Sequence, residues 1–186
     1  VVISGVLLGS IVGMTNSNVP VHAEATLTNT ATEDVASWVP DTALRVALQA
    51  ALGKGVPLTK ENVATITQLN LTYDGITNLS GLEFATNLRA LDLTGNTITD
   101  ITPLQHLHNL TDVSLRMNKA TVMPDLTPLA GTPVKSLNLV ADDYGTQPDK
   151  MAGLAQLTSL EELEMQNNDL ATVPPVTNLP KLSYLG

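Results

Sequence analysis

Between Ile66 and Leu185 apolar residues return in one fixed register. Ile66, Leu69, Leu71 and Ile76 open it, with Asp74 two places before the last. Leu88, Leu91, Leu93, Asn96 and Ile98 repeat it 22 residues later, and Leu110, Val113, Leu115 and Asn118 follow after another 22. Val134, Leu137, Leu139 and Asp142 come after 24, then Leu160, Leu163, Met165, Asn168 and Leu170 after 26. Leu182 and Leu185 begin a sixth unit. A pattern L-x-x-L-x-L-x-x-N-x-L kept through five units constrains the fold more than any other feature of the chain. One such coil buries only half a shell of aliphatic side chains, so it closes its core by stacking on its neighbours.

The spacing also sets the local structure. Leu91 and Leu93 stand two apart, so on a strand both point inward while Ala90, Asp92 and Thr94 point outward. The fold class expected is an α/β leucine-rich-repeat solenoid, right-handed, with parallel strands and short 3₁₀ or irregular return turns. Pro103 and Pro128 in the return segments fix φ and lack a donor, which disfavours full α-helices there. Asn96, Asn118 and Asn168 hold the turn after each strand, where an amide can pair with buried backbone of its own coil and the next. Asp74 and Asp142 take the same slot without the amide donors, so their rungs should be weaker. Met123-Pro124-Asp125 and Tyr144 to Lys150 lengthen the third and fourth units and read as insertions emerging as loops.

A cap is expected before the repeats, because the end of a solenoid exposes core. Leu44, Ala47, Leu48, Ala51 and Leu52 fall on one helix face, with Asp41 as N-cap and Gly53 as the stop. A second short helix should follow Thr59, with Leu58 and Val63 as a hydrophobic staple. Trp38 reads as a core anchor. Residues 1–14 are apolar and uncharged, too short to cross a bilayer comfortably, and lead to Val21-x-Ala23. The expected organisation is therefore an export signal at 1–23, a flexible leader at 24–37, a helical cap at 38–65 and about five repeats at 66–186. The natural chain is expected to start before Val1, and its repeats to continue past Gly186.

The net charge of −9 and the absence of cysteine narrow the function classes. An acidic chain is a poor partner for nucleic-acid phosphates or anionic membrane surfaces. Without cysteine there is neither a disulfide framework nor a thiolate zinc site. His106-x-His108 lacks a converging carboxylate, and Glu162 and Glu164 should be ordinary solvated acids. Asp142, Asp143 and Asp149 read as a solvated loop rather than a calcium site. No catalytic, metal or cofactor residues are assigned. The outward strand positions form the candidate binding face, represented by Gln68, Asn70, Asp92, Asp112, Ser114, Arg116, Asn138, Glu162, Glu164 and Gln166, with exposed Tyr73 added to it. Tyr73 and Tyr184 are the aromatic candidates on it.

The order of these parts resembles the internalin-type surface proteins of Gram-positive bacteria. The resemblance is carried by Val39-Pro40-Asp41-Thr42-Ala43-Leu44-Arg45, by Leu58-Thr59-Lys60-Glu61-Asn62-Val63-Ala64, and by the stretch from Gly75 to Leu88. Asn96-Thr97-Ile98-Thr99-Asp100-Ile101-Thr102-Pro103-Leu104 extends it. The resemblance implies an exported solenoid on the bacterial cell surface or wall, or secreted. Its expected partner is a protein, such as a host-cell surface receptor, held on the concave face. A monomer is expected, with no nucleic-acid partner and no membrane insertion after signal cleavage. The alternative is the targeting or spacer module of a secreted enzyme whose catalytic domain lies beyond Gly186.

Overall fold

The computed structural model describes residues 34–186 except Val173. The expected export segment and residues 24–33 of the expected leader lie outside the described residues. Six short strands form one parallel sheet in sequence order: β1 (Gln68–Asn70), β2 (Ala90–Asp92), β3 (Asp112–Ser114), β4 (Ser136–Asn138), β5 (Glu162–Glu164) and β6 (Tyr184–Leu185). Leu69, Leu91, Val113, Leu137, Leu163 and Leu185 are successive register partners. All but the last are buried, while their strand neighbours face outward. The fold is a leucine-rich-repeat solenoid, as the repeat requires.

The wall opposite the sheet follows a different period. In the first coil Ile76, Leu79, Leu82, Ala85 and Leu88 are buried, and in the second Ile98, Ile101, Leu104, Leu107 and Leu110. Every third residue faces the core, which is the periodicity of a 3₁₀-helix rather than an α-helix. Short 3₁₀ turns accordingly occupy Leu82–Phe84, Thr102–Leu104 and Thr127–Gly131. Pro103 and Pro128 sit in the first turn of theirs, where no helical donor is lost. At the start of these turns Asn78, Asp100 and Asp125 accept from the backbone N–H two residues on, at 2.8 Å each.

The third and fourth units correct the expectation of emergent loops. Met123 and Tyr144 are buried, and the Tyr144 hydroxyl donates to the Pro124 carbonyl at 3.1 Å. Tyr144 follows the Asp142 position by two, so it fills the slot that Ile98 fills in the second coil. The extra length is taken up by a nine-residue 3₁₀ segment, Pro148–Gln156, that buries Met151 and Leu154. It packs so closely that a Cβ on Gly153 would stand 2.4 Å from the Leu126 carbonyl carbon. Met123 and Tyr144 anchor these insertions in the core, while Asp125, Thr146, Pro148 and Asp149 stay exposed.

An asparagine ladder runs inside the turn after the strands. Asn96 donates to the carbonyls of Leu71 at 2.7 Å and Leu93 at 2.8 Å, and accepts from the Ile76 amide at 2.9 Å. Asn118 accepts from the Ile98 amide and donates to the Ile98 carbonyl at 2.7 Å. Asn168 donates to Leu139 and Met165 and accepts from Asp142 and Tyr144. Each asparagine thus serves the coil before its own. This direction separates the two aspartates that share the slot. Asp74 has no earlier repeat to serve and turns out to solvent. Asp142 is buried at 1% exposure, accepts from the Asn118 amide, and leaves Oδ2 without a partner. Burial pushes its carboxyl up to about 8 against the pull of the Asn118 hydrogen bond.

The cap closes the first coil through α1 (Val35–Trp38), α2 (Thr42–Leu52) and α3 (Lys60–Val63). α1 begins three residues ahead of the expected cap boundary at Trp38. Asp41 and Thr59 cap α2 and α3 as the sequence predicts, and Gly53 ends α2 at φ +88°. Asp41 also reaches the repeats, since its Oδ2 accepts from the Thr77 amide at 2.9 Å and the Asn78 amide at 3.1 Å. Burial opposes its charge, yet these amides and that of Leu44 hold its carboxyl below the usual range. Trp38 is buried edge-on to Phe84, centroids 5.4 Å apart. Among the described residues no helix is long and apolar enough to cross a membrane.

Asp142 makes stability depend on pH with a defined sign. Its folded pKa is raised, so the proton it holds stabilises the fold fully below the ordinary carboxylate value of 3.8 and progressively less as pH rises through about 8. Within that window the slope is about 1.4 kcal/mol per pH unit for one group. Asp142→Asn removes the slope and supplies the missing donors. In urea unfolding it should be more stable than the parent, by a margin that widens from pH 5 to pH 9. Parallel pH profiles for the two proteins would refute the assignment.

Candidate functional site

The outward face of the sheet is built by the same register that fills the core. Gln68, Ala90, Asp112, Ser136, Glu162 and Tyr184 form one row across the strands, and Asn70, Asp92, Ser114, Asn138 and Glu164 the next. The ladder hydrogen bonds continue past the strands, from the Tyr73 amide to Thr94 and from the Gly95 amide to Arg116. They carry Thr72, Thr94, Arg116, Val140 and Gln166 into a third row. A hollow of about 710 Å³ opens over β1 to β4. It is lined by seven of the residues expected on the face: Gln68, Asn70, Asp92, Asp112, Ser114, Arg116 and Asn138. Glu162, Glu164 and Gln166 continue that face on and just after β5, outside the hollow.

Several of these side chains already have structural work. Asn70 Oδ1 accepts from the Thr72 amide at 3.1 Å, Asp92 Oδ1 from Thr94 at 2.9 Å, and Asn138 Oδ1 from Val140 at 3.1 Å. An Asn or Asp at the strand end thus folds back on the residue two places on, and starts the turn. Asn138 also donates to the Glu164 carboxylate. Thr111 Oγ1 donates to Asp112 Oδ2 at 2.6 Å. Between these groups Ala90, Ser114 and Ser136 make a floor of short side chains, with the Thr94 and Ser114 hydroxyls 3.0 Å apart.

Tyr73 stands apart from the others. It lies on the turn that follows β1, not on the sheet itself. Its backbone is left-handed at φ +58°, which costs a bulky residue roughly 1 kcal/mol or more. Its ring lies over Gly95, where a Cβ would fall 2.2 Å from the ring carbons, and its hydroxyl meets Met117 Sδ at 3.3 Å. The residue nonetheless remains 61% exposed. Tyr73, Gly95 and Met117 follow one another at the 22-residue period, and all three have positive φ. Sequence reasoning named Tyr73 but missed its seat. The signal was present in the glycine one repeat on.

The other chemistry-bearing residues do not converge. The His106 and His108 rings are 6.3 Å apart on the return side, and Asp100 is turned to the Thr102 amide. Asp142 is buried in the ladder, where it accepts from the Asn118 amide, while Asp143 and Asp149 are exposed. Among the described residues no three His, Asp or Glu side chains gather as a metal set.

The seat can be tested by coupling. Gly95→Ala should destabilise the protein by about 1–3 kcal/mol, from its φ of +75° and from the displaced ring. Tyr73→Gly relieves left-handed strain while losing ring contact, and should change stability by less than about 1 kcal/mol. In a double-mutant cycle by urea unfolding, the Gly95→Ala cost should shrink in the Tyr73→Gly background. Additive costs would show that the ring does not rest on Gly95.

No family model and no curated protein sequence matches the chain. Solved structures do. Internalin C2 from Listeria monocytogenes is 28% identical, with a TM-score of 0.60 over 81% of this chain and 75% of that one. The functional domain of InlJ from the same organism is 26% identical, with a TM-score of 0.52 over 81% of this chain and 36% of that one. A leucine-rich-repeat protein of Leptospira interrogans shares the fold at 24% identity, with a TM-score of 0.53 over 68% and 32% of the two chains. The chain therefore spans about three quarters of the first neighbour and about a third of the other two.

Proposed function

We propose that this internalin-type leucine-rich-repeat protein is an exported bacterial surface protein, a binder rather than an enzyme, that holds a protein ligand on the outward face of its sheet. The observation that carries the reading is the exposed tyrosine platform beside a hollow of polar side chains. Tyr73 keeps a strained backbone and a glycine seat, yet the residue stays exposed. An exposed aromatic held rigid costs little entropy when a partner covers it, and such residues dominate interface energies. The face beneath is backed by a buried ladder, so it too is set before a partner arrives. Export rests on the apolar segment at 1–14 and the cleavage pattern at Val21-x-Ala23, and a host-cell receptor is the partner type that fits a displayed, monomeric adhesin. Of the expected residues, Gln68, Asn70, Asp92, Asp112, Ser114, Arg116, Asn138, Glu162, Glu164 and Gln166 belong to the proposed face, with Tyr73 at its rim.

A steric block tests the face without assuming the partner's chemistry. Ser114 sits on the floor with its side chain outward, so Ser114→Trp should fold normally and lower affinity for a cell-surface protein retained by the full chain at least tenfold. Tyr73→Ala should cost about 1–2 kcal/mol of binding. His106→Trp, at an exposed position on the return side, should change nothing. Equal affinity of parent and Ser114→Trp would overturn the concave-face reading.

A further inference from the structure

We infer that the ligand segment lying across this face is basic, an extended stretch of a protein partner bearing Lys or Arg side chains toward β2 to β5. The inference rests on the reading of the face as a protein-binding surface and specifies its partner. Asp92, Asp112, Glu162 and Glu164 stand in two adjacent rows. The floor between them is Ala90, Ser114 and Ser136, whose short side chains leave the carboxylates unobstructed by their immediate neighbours. Arg116 is the one cation on the three rows between Gln68 and Gln166, against four carboxylates. Among the described residues none of the four has a cationic partner. The nearby pair of Lys135 and Glu161, at 3.1 Å, involves neither row.

The local bonds do not neutralise this charge. Asp92 uses one oxygen on the Thr94 amide, and Asp112 takes the Thr111 hydroxyl. Each donor is neutral and engages one oxygen of its carboxylate, which leaves the other open to a cation. The rows also set a spacing. Parallel strands stand about 4.8 Å apart, so Asp112 and Glu162 are roughly 10 Å apart and Asp92 and Glu164 roughly 14 Å. An extended segment crossing the strands presents alternate side chains about 7 Å apart, so cations at its first and fifth residues span roughly 14 Å. Exposed pairs of this kind contribute little each, but together they steer a basic partner and reject an acidic one.

The probe is a synthetic peptide of five Lys-Ser units, titrated into isotope-labelled full chain at low ionic strength, with five Glu-Ser units as control. Amide shifts should be confined to β2–β5 and their flanks and weaken as salt is added. The face variant is Asp92→Asn, Asp112→Asn, Glu162→Gln and Glu164→Gln together. Each amide keeps an oxygen for the bond its carboxylate accepted, so thermal stability should hold while the dissociation constant rises at least tenfold. Asp34→Asn, Asp100→Asn, Asp149→Asn and Asp169→Asn together remove as many charges elsewhere and should change it by less than twofold. Equal losses in the two variants, shifts spread over the whole surface, or no binding would overturn the inference. A natural partner released by Ser114→Trp but retained by the neutralised face would also overturn it, while leaving concave-face binding intact.

Discussion

Everything in this molecule depends on buried backbone groups finding partners across the gap between coils. Leucine packing gives the stack its driving force, but aliphatic contacts carry no information about register. The amide of Asn96 does. It meets a carbonyl of its own coil, a carbonyl of the previous coil and an N–H of the previous coil at once. Three directional bonds at one buried point leave the coils a single way to sit on one another. The strand rows, and hence the face they present, inherit that register.

The face and the core are two readings of one alternation. Leu69, Leu91, Val113, Leu137 and Leu163 point in, so the residues on either side must point out. Because the inward set is tied to the ladder, the outward set arrives rigid. The side chains that begin each turn, Asn70, Asp92 and Asn138, are shared between the two roles. Each spends one oxygen on its own backbone, and Asn138 also donates across the face to the Glu164 carboxylate. A site built this way holds its charges at fixed spacing without a loop that has to order itself.

Most of the architecture was legible in the sequence, because a period is visible before its cause is known. The repeats, the caps at Asp41 and Thr59 and the stop at Gly53 all follow from local chemistry. What was hidden depends on neighbours. Asp74 and Asp142 look alike in one dimension, yet one has no repeat beneath it and stays hydrated, while the other is enclosed and unpaired. Tyr144 looked like part of a loop because an aromatic in an aliphatic slot breaks the letter pattern while keeping its volume inside. On the face, the row members followed from periodicity. The seating of Tyr73 did not, since it joins residues a full repeat apart.

The direction of the ladder has a consequence for how the chain is made. The asparagine of each coil completes the coil before it, so no coil is finished when its own last residue appears. Asn168 closes a coil whose strand begins at Ser136, and Asn96 closes the one that begins at Gln68. A chain emerging from its N-terminus must therefore trail one repeat of unsatisfied backbone behind its leading edge. The helical cap, anchored through Asp41 to Thr77 and Asn78, gives the first coil a partner on the side where no earlier repeat stands.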